Sequence, residues 1–204
     1  MDRFWPESAP DAARNNLNVA VHGLRQALKS ITPVPVILFD NDAYRLNPSF
    51  SLWIDKTEFE RHITTARQAE LQGSTAQALL SYETALSLYS GDFLADSPYE
   101  DWPIIERERL RVLYLDTLDR LSTIYFNTGQ FAACINLCQT LLARDTCRED
   151  AHCRLMRSYC RQGQYYLALR QYQICAEALH RELDVAPSPA TVLLFEKIRR
   201  REEF

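Results

Sequence analysis

The spacing of apolar side chains divides the chain into two regions with different predicted structure. From about residue 57 to residue 200, apolar residues recur every three or four positions, as they do on the buried face of a helix. The earlier segment PVPVILFDNDAYRLNP has an apolar, β-branched run, turn residues and a short return. It predicts a β-hairpin at about residues 34–47, with Asn41, Asp42 and Ala43 in the turn. The predicted fold class is therefore mostly α, with one hairpin near the amino terminus.

The helical region contains a repeat. Gly129 and Gly163 lie 34 residues apart, which is the period of tetratricopeptide helix pairs. A third, looser copy surrounds Gly73, and a last helix is predicted at about 189–200. The pattern predicts a tetratricopeptide-like, right-handed stack of antiparallel helix pairs, closed by that last helix. Similar residues stand at matching distances from the first two glycines: Leu121 and Leu155, Tyr125 and Tyr159, Phe131 and Tyr165, Cys134 and Ala168.

The segment AARNNLNVAVHGLRQALK, residues 12–29, is a predicted helix with two regular faces, and Ser8 is its expected N-cap. No acidic residue occurs between Asp11 and Asp40, so the helix lacks the mixed charges that usually stabilise an exposed face. The apolar face, expected to be the core side, carries Ala13, Leu17, Ala20, Leu24 and Leu28, with Val21 beside them. The polar face carries Arg14, Asn18, His22, Arg25 and Lys29, with Asn15 at its edge.

This polar face has the side-chain types that read and hold DNA. Arginine donates two hydrogen bonds to guanine, asparagine pairs with the major-groove edge of adenine, and lysine contacts phosphate. The hairpin that follows would be the wing of a winged helix, with Arg45 able to reach backbone phosphates. The other interpretation is a solvated polar face, which is the usual meaning of such a stripe. The residues by themselves leave both interpretations open.

Composition and charge set bounds on these interpretations. The chain has 204 residues, 47% of them hydrophobic and 25% charged, which is typical of one large or two small globular domains. Because the formal net charge is −4, a nucleic-acid site must be a local patch. No apolar run approaches the roughly 18 residues of a membrane span, and the amino terminus lacks the apolar core of a secretory signal. We therefore expect a cytoplasmic protein without membrane contact.

The sequence offers no candidate catalytic or metal site, and we expect neither an enzyme nor a cofactor. The four histidines are scattered, and no G-x-S-x-G, H-E-x-x-H or P-loop motif occurs. None of the six cysteines forms a C-x-x-C pair, so zinc is a poor explanation for them. Reduced cysteines that serve as small core residues are the simpler interpretation.

Two stretches resemble a known family. The segments ARNNLNVAVHGLRQAL, DNDAYRLNP and WIDKTEFE resemble the end of the winged-helix domain of Streptomyces antibiotic regulatory protein (SARP) family regulators. The segment YSGDFLADSPYEDWPIIERERLRVLYLDTLDRL (89–121) resembles the signature of the bacterial transcriptional activator domain that follows it. The resemblance implies a partial winged helix at residues 1–56 and an activator domain at residues 57–204. Within the first part, residues 11–29 would be the recognition helix and residues 34–47 the wing.

The resemblance also implies partners. Promoter DNA would bind the recognition helix, and the transcription machinery or a further protein domain would bind the helical repeats. Gly23 and Ala43 depart from the family pattern, which would have a basic residue and a wing glycine in their places. The residues that fall on the family's recognition motif are Arg14, Asn15, Asn16, Asn18, His22 and Arg25.

Only MDRFWPE precedes the recognition helix, whereas the family's winged helix begins with a small sheet and two helices. We therefore expect a fragment or a naturally short form, whose exposed apolar surface invites pairing with a second copy or packing onto the helical repeats. Two functions stay open: a DNA-binding transcription activator, or a tetratricopeptide-like protein-interaction scaffold without DNA binding of its own. The acid-free polar face of the first helix favours the DNA-binding activator. The short segment before that helix favours the interaction scaffold.

Overall fold

The computed structural model describes residues 4–96 and 100–202, and the chain divides into two compact units between Ile54 and Asp55. Unit 1 contains helix α1 (Pro10–Lys29) and strands β1 (Ile37–Asp40) and β2 (Ala43–Leu46). Over the described part of unit 2 the regular elements are seven helices: α2 (Asp55–Leu71), α3 (Thr75–Leu88), α4 (Ile104–Asn127), α5 (Phe131–Leu142), α6 (Glu149–Arg161), α7 (Tyr165–Leu183) and α8 (Pro189–Arg200). The predicted fold class, mostly α with one hairpin, is therefore confirmed.

The start and the buried side of α1 differ from the sequence prediction. Ala9 occupies the N-cap position and makes no side-chain capping bond, so Ser8 is not the cap. Ala13 and Val21 are buried, but Leu24, expected in the core, is 51% exposed. The covered side is rotated towards the polar residues because the hairpin packs against them, as described below.

The hairpin forms without a glycine. Strands β1 and β2 pair antiparallel, and Asp40 stands opposite Ala43 at the end of the ladder. Asn41 and Asp42 make the turn, with left-handed φ angles of 51° and 57°. Two successive left-handed residues give the turn whose twist matches the paired strands, and Asn and Asp tolerate that conformation better than other non-glycine residues. Ala43 is therefore the first residue of β2, rather than the turn residue that the sequence predicted.

Unit 2 stacks three antiparallel helix pairs, α2 with α3, α4 with α5 and α6 with α7, followed by α8. A glycine with φ between 71° and 77° ends the first helix of each pair: Gly73, Gly129 and Gly163. In each turn the residue after the glycine donates its backbone N–H across the helix end, a Schellman arrangement that satisfies otherwise unpaired carbonyls. The predicted helix-pair repeat is confirmed. The three bonds run from Ser74 to Ala69 O (2.9 Å), Gln130 to Tyr125 O (2.8 Å) and Gln164 to Tyr159 O (2.8 Å).

Small side chains let the paired helices approach each other. Five residues after each glycine stands a small, fully buried residue, and seven residues further on stands another buried apolar residue. Cys134 is one of them, which explains that cysteine as a packing residue. All six cysteines carry free thiols. The two sets are Ala78, Cys134 and Ala168, then Ala85, Leu141 and Cys175.

Helix α8 closes the stack, as predicted. Ser188 is its N-cap and accepts a hydrogen bond from the Thr191 N–H. The Ser188 and Thr191 hydroxyls donate to Glu149 Oε2 at 2.9 and 2.6 Å, respectively. These bonds connect α8 to the start of α6. Burial raises the pKa of Glu149, but the bonds from Thr191 and Ser188 outweigh it and hold the pKa below its usual value. Leu194 and Ile198 are buried and cover the apolar end of the last pair.

Candidate nucleic-acid interface

The α1 polar face comprises the predicted residues on one side of the first helix: Arg14, Asn15, Asn18, His22, Arg25 and Lys29. Arg14, Asn15 and Lys29 are exposed, and within the described residues none of them has a side-chain hydrogen bond or an ion pair. His22 is also exposed, and its Nε2 lies 3.5 Å from the Gln26 amide nitrogen. From Arg14 to Lys29 the face extends about 22 Å along the helix axis.

Two members of the face hold the hairpin against the helix. The Arg25 guanidinium donates to Ile37 O at 2.9 and 3.2 Å and lies 5.5 Å from the centre of the Tyr44 ring. The Tyr44 hydroxyl in turn donates to Asn18 Oδ1 at 2.8 Å. These contacts fix the hairpin beside the polar face, so Asn18 and Arg25 are positioning residues in addition to any contact with a ligand.

Sequence reasoning missed the positioning role of Tyr44. Its ring packs against Phe39, the residue opposite it on β1, at 4.9 Å between centres. The alternation of side chains along β2 places Tyr44 on one face of the ribbon and its neighbour Arg45 on the other. That alternation was the available signal. Arg45 lies 3.0 Å from Asp40 in an ion pair, with its side chain about half exposed.

The α1 polar face is electropositive because Asp11, in the first turn of α1, is followed by no further acid before Asp40. Residues 12–39 contain arginine, lysine and histidine but no aspartate or glutamate. Such uncompensated cations form a local positive field on a chain whose net charge is −4. The geometry can hold an extended anion along α1, with amide side chains between the charges.

Unit 1 also has an apolar side. A pocket of about 470 Å³ lies between the end of α1 and β1. Its lining runs from Thr32 to Phe39, with Leu28 and Lys29 at the helix end. Phe39 and Val34 are 57% and 47% exposed. Unit 1 therefore presents a charged face and an apolar surface, rather than one uniformly polar surface.

The cations between α2 and α4 are arranged differently. We define the α2–α4 seam as the residues in their mutual ion pairs: Lys56, Glu60, Arg67, Glu70, Glu106, Arg109, Asp116 and Arg120. Asp116 accepts from Arg67 at 2.8 Å and from Arg120 at 3.0 Å. Hydrogen bonds from Arg109 and Lys56 lower the pKa of Glu106 to about 2. Because every cation here is paired with at least one carboxylate, the seam joins two helices and leaves little charge for an external anion.

The buried histidine is structural. His152 is 2% exposed, and its Nε2 lies 3.0 Å from Thr146 O while Gln171 Nε2 lies 2.6 Å from its Nδ1. This assigns a neutral ring that donates from Nε2 and accepts at Nδ1. Burial lowers the pKa of His152. The histidine therefore fastens α6 to α7 and to the loop before α6.

Over residues 4–96 and 100–202, no three His, Cys, Asp or Glu side chains converge as metal ligands. Among the helices of that part of the chain, none combines the length and apolar character needed to cross a bilayer.

The fold defines a class: a helix-and-hairpin unit joined to a tetratricopeptide-like stack. The chain belongs to the bacterial transcriptional activator domain family, whose model matches residues 54–199. This match confirms the resemblance drawn from residues 89–121. A comparison with curated proteins found no match.

Solved structures share the fold. Mycobacterium tuberculosis EmbR in complex with a low-affinity phosphopeptide is 22% identical with a TM-score of 0.77, over 100% of this chain and 54% of that one. The chain thus spans about half the length of EmbR. The TPR2B domain of yeast Sti1 in its complex with pHsp70 is 10% identical (TM-score 0.52), and the Arabidopsis OM64 TPR domain is 11% identical (TM-score 0.50). Each of these two matches covers 72% of this chain and 99% of the other. At such identities the matches establish the fold.

Proposed function

We propose that the chain belongs to a cytoplasmic, DNA-binding transcription activator that contacts promoter DNA through the α1 polar face. The observation that carries the proposal is the set of unpaired side chains on that face. Arg14 and Lys29 are exposed cations without a carboxylate partner in the described residues, and amides and an imidazole stand between them. Most other exposed cations among the described residues lie in ion pairs, such as Arg61 with Glu58 and Arg199 with Glu196, so this face has charge available for phosphate.

The proposed roles follow from where each side chain lies. Arg14 and Lys29, at the two ends of the face, contact phosphates, while Asn15 and His22 between them reach base edges. Asn18 keeps its amide N–H groups free for a base, since Tyr44 uses only its oxygen.

The hairpin serves as the wing in this proposal. Arg25 secures the hairpin to the helix through Ile37 O, and its charge adds to the positive field. Arg45 exchanges its contact with Asp40 for a backbone phosphate when DNA is bound. The units at residues 1–54 and 55–204 then correspond to the end of a winged helix and to the activator domain.

The helical stack is proposed to make protein contacts with the transcription machinery or with a further domain. The family match and the tetratricopeptide-like fold support this role. A shallow pocket of about 490 Å³ beside the α2–α4 seam offers an apolar contact point at Val112 and Leu113, with arginines around it. Catalysis plays no part in the proposal, and the absence of enzyme activity stays a prediction.

The test is a titration of the chain into a labelled random-sequence DNA duplex, read by fluorescence anisotropy at several salt concentrations. Arg14→Ala and Lys29→Ala should each weaken binding and reduce the magnitude of the salt slope by about 1, because each removes one phosphate contact. In sequence selection from the duplex pool, Asn15→Ala should change the preferred bases with little change in salt slope.

The matched control is Arg170→Ala, which removes an exposed cation from α7 in unit 2. It should leave both affinity and slope unchanged. Equal losses for Arg170→Ala and Arg14→Ala would indicate diffuse attraction, and unchanged binding of both α1 variants would overturn the proposed interface.

The second candidate is a protein-interaction scaffold that binds no DNA. The fold shared with tetratricopeptide domains favours it. Duplex binding distinguishes the two functions, and capture of purified bacterial RNA polymerase checks that the helical stack is active. If the scaffold function is correct, polymerase capture should be the same for the wild-type chain and the Arg14→Ala/Lys29→Ala variant, while neither binds the duplex.

A further inference from the structure

The first half of α4 exposes large apolar side chains. Ile104, Ile105 and Val112 are 49%, 83% and 56% exposed, although their helix buries Leu110 on its other side. Two shallow pockets adjoin on this surface, and both are lined by Arg109 and Val112. We define the α4 stripe as Ile105, Glu108, Arg109 and Val112, which lie on one side of the helix at spacings of three or four residues.

The α4 stripe is complementary to itself when two copies run antiparallel. A two-fold axis through the midpoint between Glu108 and Arg109 places apolar residues opposite apolar residues and acids opposite bases. A parallel arrangement in register would instead place like charges together. The pairs related by this axis are Ile105 with Val112 and Glu108 with Arg109.

The charged groups are available for such pairing. The Glu108 side chain is 62% exposed, and its one ion-pair partner among the described residues is Arg111, at 3.6 Å. Arg109 bonds to Glu60 and Glu106, yet its side chain is 47% exposed, and a guanidinium has five N–H donors. Glu108 of one copy therefore satisfies a donor on Arg109 of the other without breaking the α2–α4 seam.

We infer that the α4 stripe is a self-association surface, on which a second copy of this chain docks through its own α4, antiparallel and two-fold symmetric. The same patch then serves both copies, as closed two-fold dimers require. Ile105 of each copy fills the shallow pocket beside Val112 of the other. The inference goes beyond the proposed DNA interface and does not depend on it.

The dimer is weak. One helix-to-helix contact with three exposed apolar side chains per copy is far smaller than the roughly 1,600 Å² of a standard stable interface. Association is therefore rapid and reversible, and it requires high protein concentration.

Cysteine cross-linking tests the register directly. Ile105→Cys and Val112→Cys are made separately in the full chain, oxidised alone and as a mixture, and analysed by peptide mass spectrometry. In an antiparallel pair the two copies of residue 105 are about 10 Å apart along the axis, which is too far for a disulfide. The expected result is a 105–112 disulfide between chains in the mixture, with no 105–105 or 112–112 disulfide in either single sample.

Charge exchange tests the same pairing without a covalent bond. Glu108→Arg and Arg109→Glu should each lower self-association in sedimentation velocity, because each sets like charges against each other at both pairs. Mixing the two variants should restore association, since every Arg then meets a Glu. Circular dichroism checks that both variants fold. If Arg109→Glu does not fold, the cross-linking experiment still tests the inference by itself.

Three results would overturn the inference. One is a wild-type chain that stays monomeric at the highest concentration while the cysteine mixture gives no 105–112 disulfide. Another is a 105–105 disulfide, which places the helices in a different register. The third is self-association that neither charge variant changes. The copies would then associate through another surface, and the α4 stripe would bind another kind of partner.

Discussion

The two units use the same residue types in opposite ways. Unit 1 leaves Arg14 and Lys29 unpaired and exposes large apolar side chains such as Leu24. Unit 2 buries leucines such as Leu118 and Leu121 between helices and gives the cations of the α2–α4 seam carboxylate partners. The difference teaches that a charge acts on an external ligand only where the fold leaves it unsatisfied. A paired arginine is part of the structure, and an unpaired one is available.

The largest expected effect is on apolar burial. Leu121 is 1% exposed and lies between the first two helix pairs. Leu121→Ala should therefore lower the free energy of unfolding by about 2–5 kcal/mol. Leu24→Ala, the same deletion on exposed α1, should cost under about 0.5 kcal/mol. Chemical denaturation followed by circular dichroism measures both. Equal losses would mean that unit 1 buries its helix as unit 2 does.

Glycine replacements should have opposite signs in the two units. Gly129 has a φ of 77°, so Gly129→Ala should destabilise unit 2 by about 1–2 kcal/mol. Gly23 lies inside α1 with open space where a Cβ would stand, so Gly23→Ala should stabilise α1 by about 1 kcal/mol. Thermal melting reports the first change, and hydrogen exchange of the α1 amides reports the second.

The Gly23 replacement also sharpens the proposed function. If Gly23→Ala stabilises α1 and yet weakens duplex binding, the glycine provides room for the DNA backbone. Unchanged binding would leave the glycine without a part in the interface. Loss of α1 stability would contradict the open space seen around the residue.

Breaking a seam pair should have a smaller effect on stability. Asp116→Asn removes the carboxylate shared by Arg67 and Arg120, but all three side chains are partly exposed, so the cost should stay at or below about 1 kcal/mol. The loss should shrink at high salt, which screens the wild-type pairs. Arg14→Ala, which breaks no pair, should change the unfolding free energy by less than about 0.5 kcal/mol at any salt. Urea titrations at two salt concentrations separate the two responses.

The smallest effects expected are those of pH, and they fall in two windows of unit 2. Burial lowers the pKa of His152, so its contribution is complete above about pH 6.5 and is lost as pH falls towards its folded-state pKa. Arg109 and Lys56 lower the pKa of Glu106 to about 2, so its contribution is complete above about pH 4.5 and is lost as pH falls through 2. As pH is lowered, the free energy of unfolding should therefore decline in two steps, the first below about pH 6.5 and the second below about pH 4.5.

Single substitutions assign the two windows. His152→Gln should flatten the decline between neutral pH and pH 5, and Glu106→Gln should flatten only the more acidic part. A His152→Gln profile identical to that of the wild type would assign the early decline to other groups.

Much of the helical stack was predictable because its signals are local. The 34-residue spacing of Gly129 and Gly163 marks chain reversals that only residues tolerant of positive φ can make, and Cys134 stands at the small position after one of them. The α1 cap and its buried side were mispredicted for the opposite reason. Apolar periodicity alone placed Leu24 inside, whereas a separate element, the hairpin, decides which side of α1 is covered.

The sequence by itself determined the helix pairs, the closing helix and the acid-free character of the first helix, because turns, periodicity and charge are properties of neighbouring residues. Only the tertiary structure decided the role of each cation. Arg25 donates to Ile37 O and contacts the Tyr44 ring, and Arg67 pairs with Asp116. Arg14 has no partner among the described residues. The physical reason is that charges interact over a few ångströms of space, and distance along the chain does not fix that separation.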